Sequence, residues 1–174
     1  MATAKPATPA ERQLRSLIAN NTRLLGPEHR DTLSSRNDLA AALCEQGKHA
    51  EAENELRAVL EIQERVVGAE HVDTFRNRGD LAAELADQGK HAEAEKVNRT
   101  ILGIQERVFG YENPFVFVTC EDLATSLEAQ GKLKEAYEYI QRAETGLVKL
   151  LGPDKPPSQK IKAVRKRIEA KLKK

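Results

Sequence analysis

The side chains best suited to chemistry in this 174-residue chain are four histidines, two cysteines and many carboxylates. Metal binding would need such groups gathered at ligand spacing, and nucleophilic catalysis would need a Cys or Ser beside a His and an acid. Neither pattern occurs. His29 and His71 stand 42 residues apart, as do His49 and His91, so neither pair can hold a common metal. Cys44 and Cys120 lack any accompanying His and acid arranged for catalysis, and packing in a core suits both. No HExxH, GxSxG or phosphate-binding glycine loop is present. Carboxylates on solvated helix faces are the rule in a chain rich in Ala, Glu, Lys, Leu and Arg. The sequence therefore points to no enzyme, no metal, no cofactor and no small-molecule substrate.

Charge is more informative. The formal net charge is +1, yet from Lys155 onward there are nine Lys or Arg and one acid, Glu169. Taking that local excess of +8 from +1 leaves residues 1–154 at −7. An acidic body carries a basic end. Aromatics make up 4% of the chain and Trp is absent, so a core must be built from Leu, Ile, Val and Ala. Two cysteines do not make a disulfide framework, which suits a reducing compartment. No apolar run approaches the roughly 18 residues of a membrane span. Met1 to Ala10 lacks the apolar run of a signal peptide and reads as a short disordered lead-in. The expected location is cytoplasmic.

The elements that position these side chains follow from an internal period. Gly26, Gly68, Gly110 and Gly152 recur every 42 residues, and Gln-Gly-Lys recurs at 46–48, 88–90 and 130–132. Residues 25–66 and 67–108 are identical at 26 of 42 positions, and 109–150 keeps the same skeleton. Such a repeat of helical composition signals stacked supersecondary units. Within a unit, helix A should run from about Thr32 to Gln46, with Asp31 or Thr32 at its cap. Gly47 should end it in the left-handed conformation. Helix B should run from about His49 to Val66, burying Ala52, Leu56, Val59, Leu60 and Ile62. Residues 11–24 form a half repeat resembling helix B, opened by a Thr8–Glu11 capping box with Pro9 first. Residues 151–174 supply a terminal helix A from Ser158, with Ile161, Val164, Ile168 and Leu172 on one stripe. The expectation is an all-α solenoid of eight helices, with repeats 25–66, 67–108 and 109–150 stacked into a right-handed superhelix.

The segments Leu25-Gly-Pro-Glu-His-Arg-Asp-Thr-Leu, Asn37-Asp38-Leu39-Ala40, Gln46-Gly-Lys-His-Ala-Glu-Ala-Glu53 and Leu60-Glu-Ile-Gln-Glu-Arg65 resemble the 42-residue tetratricopeptide repeat of kinesin light chains. The resemblance covers residues 11–150. It implies a protein-binding array whose A helices line a concave face. No heptad segment accompanies the repeats, so binding to a kinesin heavy chain is not implied. The short form resembles the bacterial kinesin light chains that accompany bacterial tubulins, which implies a bacterial tubulin polymer as partner and an association with the cytoskeleton.

The groove positions implied by the family map onto Ser34, Asn37, Ala41 and Glu45, then Arg76, Gly79, Ala83 and Asp87, then Val118, Glu121, Thr125 and Ala129. Where kinesin light chains usually read Leu-Asn-Asn-Leu, this chain has Asp38, Asp80 and Asp122 in place of the second Asn. With Glu45, Asp87 and Glu121 nearby, the groove should prefer a basic or neutral ligand over the acidic-aromatic peptides usual for the family. Alternatively the three Asp residues serve the structure, bonding Arg36, Arg78 or a backbone group. His49 and His91 replace a packing aromatic of the family and should be partly buried.

The basic terminal helix is the second candidate surface, through Lys160, Lys162, Arg165, Lys166, Arg167 and Lys171. It could be a soluble cap, or it could meet an acidic protein surface, a nucleic acid or anionic lipid, in that order. Aromatics for stacking on bases or anchoring in lipid are missing there. The function that emerges is an adaptor stabilising a tubulin-like filament through its concave face and basic helix. The alternatives are a generic peptide-binding scaffold and a binder of nucleic acid or membrane surfaces.

Overall fold

The computed structural model describes residues 6–173. These residues form eight α-helices and no strand: α1 Pro9–Leu25, α2 Arg30–Glu45, α3 His49–Val66, α4 Val72–Asp87, α5 His91–Phe109, α6 Pro114–Ala129, α7 Leu133–Leu151 and α8 Pro156–Leu172. The all-α reading holds. Most of the lead-in, residues 1–5, lies outside the described residues.

The caps explain the boundaries and correct one expectation. Helix α2 is not capped by Asp31 or Thr32. His29 takes that place, its Nδ1 accepting from the Asp31 amide at 3.2 Å, while the Thr32 hydroxyl donates to the Gly26 carbonyl at 2.8 Å. His71 and Thr74 repeat both bonds at the start of α4. The repeating histidines are thus helix starts, satisfying amides that have no partner within the helix. At α1 only half of the capping box forms. Thr8 accepts from the Glu11 amide at 3.2 Å, but the Glu11 carboxylate goes elsewhere, to Lys48 and Arg15. Helices α2, α4 and α6 each end at a glycine with positive φ (Gly47 70°, Gly89 75°, Gly131 76°). A side chain there would force the strained left-handed region.

The chain divides into two compact units, residues up to Glu84 and residues from Leu85 onward. In the first unit Leu39, Leu43 and Ala52 form a buried cluster on which Leu14 and Ile18 of α1 pack. In the second, α6, α7 and α8 bury Phe117, Cys120, Leu123, Leu127, Ile140, Leu147, Ile161, Val164 and Ile168 together. Three of the four stripe residues of α8 are therefore core, while Leu172 is exposed. The middle of α7 has a glycine for a reason of space. A Cβ on Gly146 would lie 2.1 Å from the Phe117 ring, so the ring rests on bare backbone.

Candidate partner-binding surfaces

The residues mapped to the groove share one face of each A helix, at the i, i+3, i+7, i+11 spacing that lines up on a helix surface. On α2, Ser34, Ala41 and Glu45 are exposed and Asn37 is half-buried. On α4, Arg76, Ala83 and Asp87 are exposed and Gly79 is half-buried. On α6, Val118, Thr125 and Ala129 are exposed and Glu121 is half-buried. Each A helix thus keeps an open stripe while its other faces enter the core.

Asp38, Asp80 and Asp122 are exposed beside these stripes. The expected Asp–Arg network is absent. Arg36 donates to Glu55 at 2.8 Å, and Arg78 donates to Glu64 at 2.7 Å and to the Ala69 carbonyl at 2.8 Å. Partial burial raises the Asp80 carboxyl, with the Arg76 charge opposing it. Although the Asp122 side chain reaches solvent, packing around its carboxyl removes enough water to push it up to about 6, helped by neighbouring Glu121 and opposed by Lys160. Asp80 and Asp122 thus lose some hydration without a close ion pair of their own.

Two of the mapped groove residues are already engaged within the molecule. Glu121 accepts an ion pair from Lys160 at 2.9 Å, and the Thr125 hydroxyl donates to the Glu121 carbonyl at 3.0 Å. Arg76 extends into solvent, 3.8 Å from Asp73.

The basic helix departs furthest from expectation. Arg167 and Lys171 both reach Glu128 on α6, at 2.6 and 2.9 Å, and Glu128 is 4% exposed. Arg165 pairs with Glu144 on α7 and with Glu169 at 2.9 Å. Burial works against ionising Glu128, yet Arg167 and Lys171 hold it below the usual carboxylate range. Lys160, Arg165, Arg167 and Lys171 are thus spent within the molecule. Lys162 and Lys166 remain exposed and face solvent. One helical repeat earlier, Cys120 and Ala124 stand in their places and are buried. The two lysines occupy the face that, one repeat earlier, packs into the core.

The Gln-Gly-Lys motif has a role that the sequence reading missed. Lys48 donates to Glu11 at 2.6 Å and Lys132 to Glu95 at 2.7 Å, each reaching the helix B of the preceding repeat. Arg15 and Arg99 join them from the same helix turn, at 3.0 and 2.9 Å. Lys132, against the cost of burial and with help from Arg99 and Gln130, lowers Glu95 to about 2. A constant offset of 37 residues between Glu and Lys was the available signal.

Other chemistry-bearing groups are structural. The Cys44 thiol donates to Glu84 at 2.7 Å, and the His49 ring contacts the same carboxylate at 2.9 Å. Burial pushes Cys120 up to about 11. Among the described residues no group of three or more His, Cys, Asp or Glu is placed to hold a metal ion, and no helix is long and apolar enough to cross a membrane.

In the first unit the open face deepens into a cleft of about 570 Å³ between α2, the end of α3 and the start of α4. Asn37 and Arg76 line it, with Leu33, Gln63, Val66 and Val72.

Helical hairpins of fixed period, each presenting one open A-helix stripe, define a helical-repeat scaffold. Residues 10–65 and 31–107 match the tetratricopeptide repeat family, and the chain belongs to it. The fold is that of protein-interaction adaptors. Solved structures share the fold. A kinesin light chain-type protein of Podosopora anserina, with nearly identical TPR-like repeats, superposes with a TM-score of 0.76 at 23% identity, covering 94% of this chain and 82% of that one. BtubC (BKLC) from P. vanneervenii superposes at 0.71 with 20% identity over 89% of this chain, which spans 63% of that protein. The type III secretion translocator chaperone SycD of Yersinia enterocolitica gives 0.64 and 18%, over 87% and 93%. At these identities the likeness is one of fold. No curated protein matches the chain in sequence.

Proposed function

We propose that this chain is a non-enzymatic adaptor that holds a partner protein on the open faces of α2, α4 and α6, and that the partner is a bacterial tubulin-like filament. The observation that carries the reading is the open stripe on each A helix, lined by Asn37, Glu45, Arg76, Asp87 and Thr125. The kinesin-light-chain type of the repeat and the fold shared with BtubC support the filament as partner. Residues 11–150 act as the array and 151–174 as its cap. Because four of the six basic side chains of α8 are tied to glutamates, only Lys162 and Lys166 remain to attract an acidic surface. The A-helix face is the main contact, and Asp38, Asp80 and Asp122 tune it toward neutral or basic groups.

The test is co-sedimentation of the purified chain with assembled bacterial tubulin at about 150 mM salt, where exposed charges are screened beyond about 8 Å. The chain should pellet with filaments, and Arg76→Ala should speed its release. Absence from the filament pellet would end the filament reading. Equal binding to duplex DNA under the same conditions would favour a nucleic-acid binder.

A further inference from the structure

The cleft of the first unit contains acceptors without donors. The Gln63 Oε1 and Asn37 Oδ1 atoms are buried and make no hydrogen bond. Gln63 is 5% exposed. Buried carbonyl oxygens in native proteins nearly always find a donor, so two on one cleft call for a partner. Internal duplication supplies the control. In the second unit the equivalent glutamine, Gln105, accepts from the Thr119 hydroxyl at 2.8 Å. The residue of the first unit in the place of Thr119 is Asn77, and its amide nitrogen is spent on the Leu56 carbonyl at 2.8 Å. One substitution within the repeat therefore leaves Gln63 open.

Apolar and charged groups around these oxygens narrow the occupant. Val66, Val67 and Val72 line the cleft while 48%, 45% and 60% exposed, so an aliphatic group entering there would cover them. The charged residues lining the cleft balance, Glu28 and Asp73 against Arg30 and Arg76. Glu28 pairs with Arg65 at 2.8 Å, and Asp73 lies 3.7 Å from Arg30 and 3.8 Å from Arg76. A carboxylate would meet the lone pairs of two carbonyl oxygens, and an isolated cation would find no unengaged acid. A neutral N–H donor suits the site. The volume accommodates a short peptide segment.

We infer that this cleft binds a segment of the partner protein that places a branched aliphatic side chain next to the primary amide of an Asn or Gln. The inference rests on the partner-binding reading of the A helices and names the chemistry that one of them selects.

Isovaleramide, which joins an isobutyl group to a primary amide, is the probe, and isovalerate of the same shape is the control. Both are titrated into the full chain while the methyl resonances of Val66, Val67 and Val72 are followed by NMR. Isovaleramide should shift those methyls saturably, and isovalerate should bind roughly tenfold more weakly or less, the difference expected for lost hydrogen bonds. Gln63→Met keeps the shape and removes the acceptor, so the preference for the amide should disappear while the circular dichroism spectrum stays unchanged. Equal affinity for the two probes, shifts confined to other residues, or an unaltered preference in Gln63→Met would each overturn the inference. Filaments that pellet the chain while isovaleramide leaves it unmoved sink this inference alone. Amide-selective binding without filament pelleting sinks the filament partner alone.

Discussion

Residues up to Glu84 and residues from Leu85 onward use the same repeat in opposite ways. In the second unit several polar side chains pair within the molecule, although the His91 Nδ1 and Ser158 Oγ atoms are buried and make no hydrogen bond. Gln105 is met by Thr119, Glu121 by Lys160, and Glu128 by Arg167 and Lys171. In the first unit Gln63 and Asn37 keep buried oxygens open beside exposed valines. Backbone architecture is common to both, so the difference lies in a few side chains. Duplication copies the scaffold, and substitution at single positions then decides whether a surface is sealed or left to a partner. The basic end belongs to the sealed part, despite its excess of charge.

The largest test breaks the seal. Changing Arg167 and Lys171 together to Glu would set two acids against buried Glu128 and should cost about 3 kcal/mol, measured by urea unfolding, since removing the partners of a buried charge is strongly destabilising. Lys162→Glu with Lys166→Glu should change stability by no more than about 0.5 kcal/mol, as exposed sites do. Equal costs for the two pairs would erase the distinction between tied and open lysines.

Turn glycines provide the control that both units should pass alike. Gly47→Val and Gly131→Val should each lose about 1–2 kcal/mol in thermal or urea unfolding, the cost of a left-handed residue with a Cβ. No atom other than the glycine's immediate neighbours lies within 4 Å of a Cβ at Gly131, so backbone strain alone is measured. A marked inequality between the units would show that one tolerates strain the other does not.

Asn77→Thr imports the second unit's solution into the first. Its hydroxyl should satisfy Gln63, so the preference for isovaleramide should fall to about threefold or less, while stability shifts by about 1 kcal/mol at most. An unchanged preference would mean that Gln63 is not the acceptor that matters.

The smallest effect concerns pH. Asp122 has its folded-state pKa raised from 3.8 to about 6. The folded chain therefore holds that proton more tightly than the unfolded chain, and the contribution is full below about 3.8 and lost as pH rises through about 6. Asp122→Asn should raise the melting temperature by about 1 °C at pH 7.5, with no gain at pH 4. A gain at both pH values would assign the effect to something other than the proton.

Much of the fold was legible in the residues. Glycines at 42-residue spacing marked the ends of the B helices, Gln-Gly-Lys marked the A–B turns, and apolar spacing placed Leu56, Val59 and Ile161 in the core. These are local properties, governed by backbone conformation and helical period, and local properties can be read along a chain. The exposed stripe of each A helix followed from the same period. The caps were partly misread because Asp31 and Thr32 are conventional cap residues, whereas His29 has an acceptor nitrogen that only the turn geometry brings to the amide.

Partnership between distant side chains was decided by tertiary structure alone. Counting charge from Lys155 onward made α8 look like an open basic surface, yet Arg167 bonds a glutamate 39 positions away and Arg165 one 21 positions away. Lys48 finds Glu11 at an offset of 37, and Gln63 differs from Gln105 because of what stands at 77 and 119. A long side chain bonds whatever lies within about 3 Å of its tip, and which groups those are depends on how neighbouring helices are set against each other. Spacing along a helix fixes the face on which a residue stands, while the partner waiting there belongs to another turn of the solenoid.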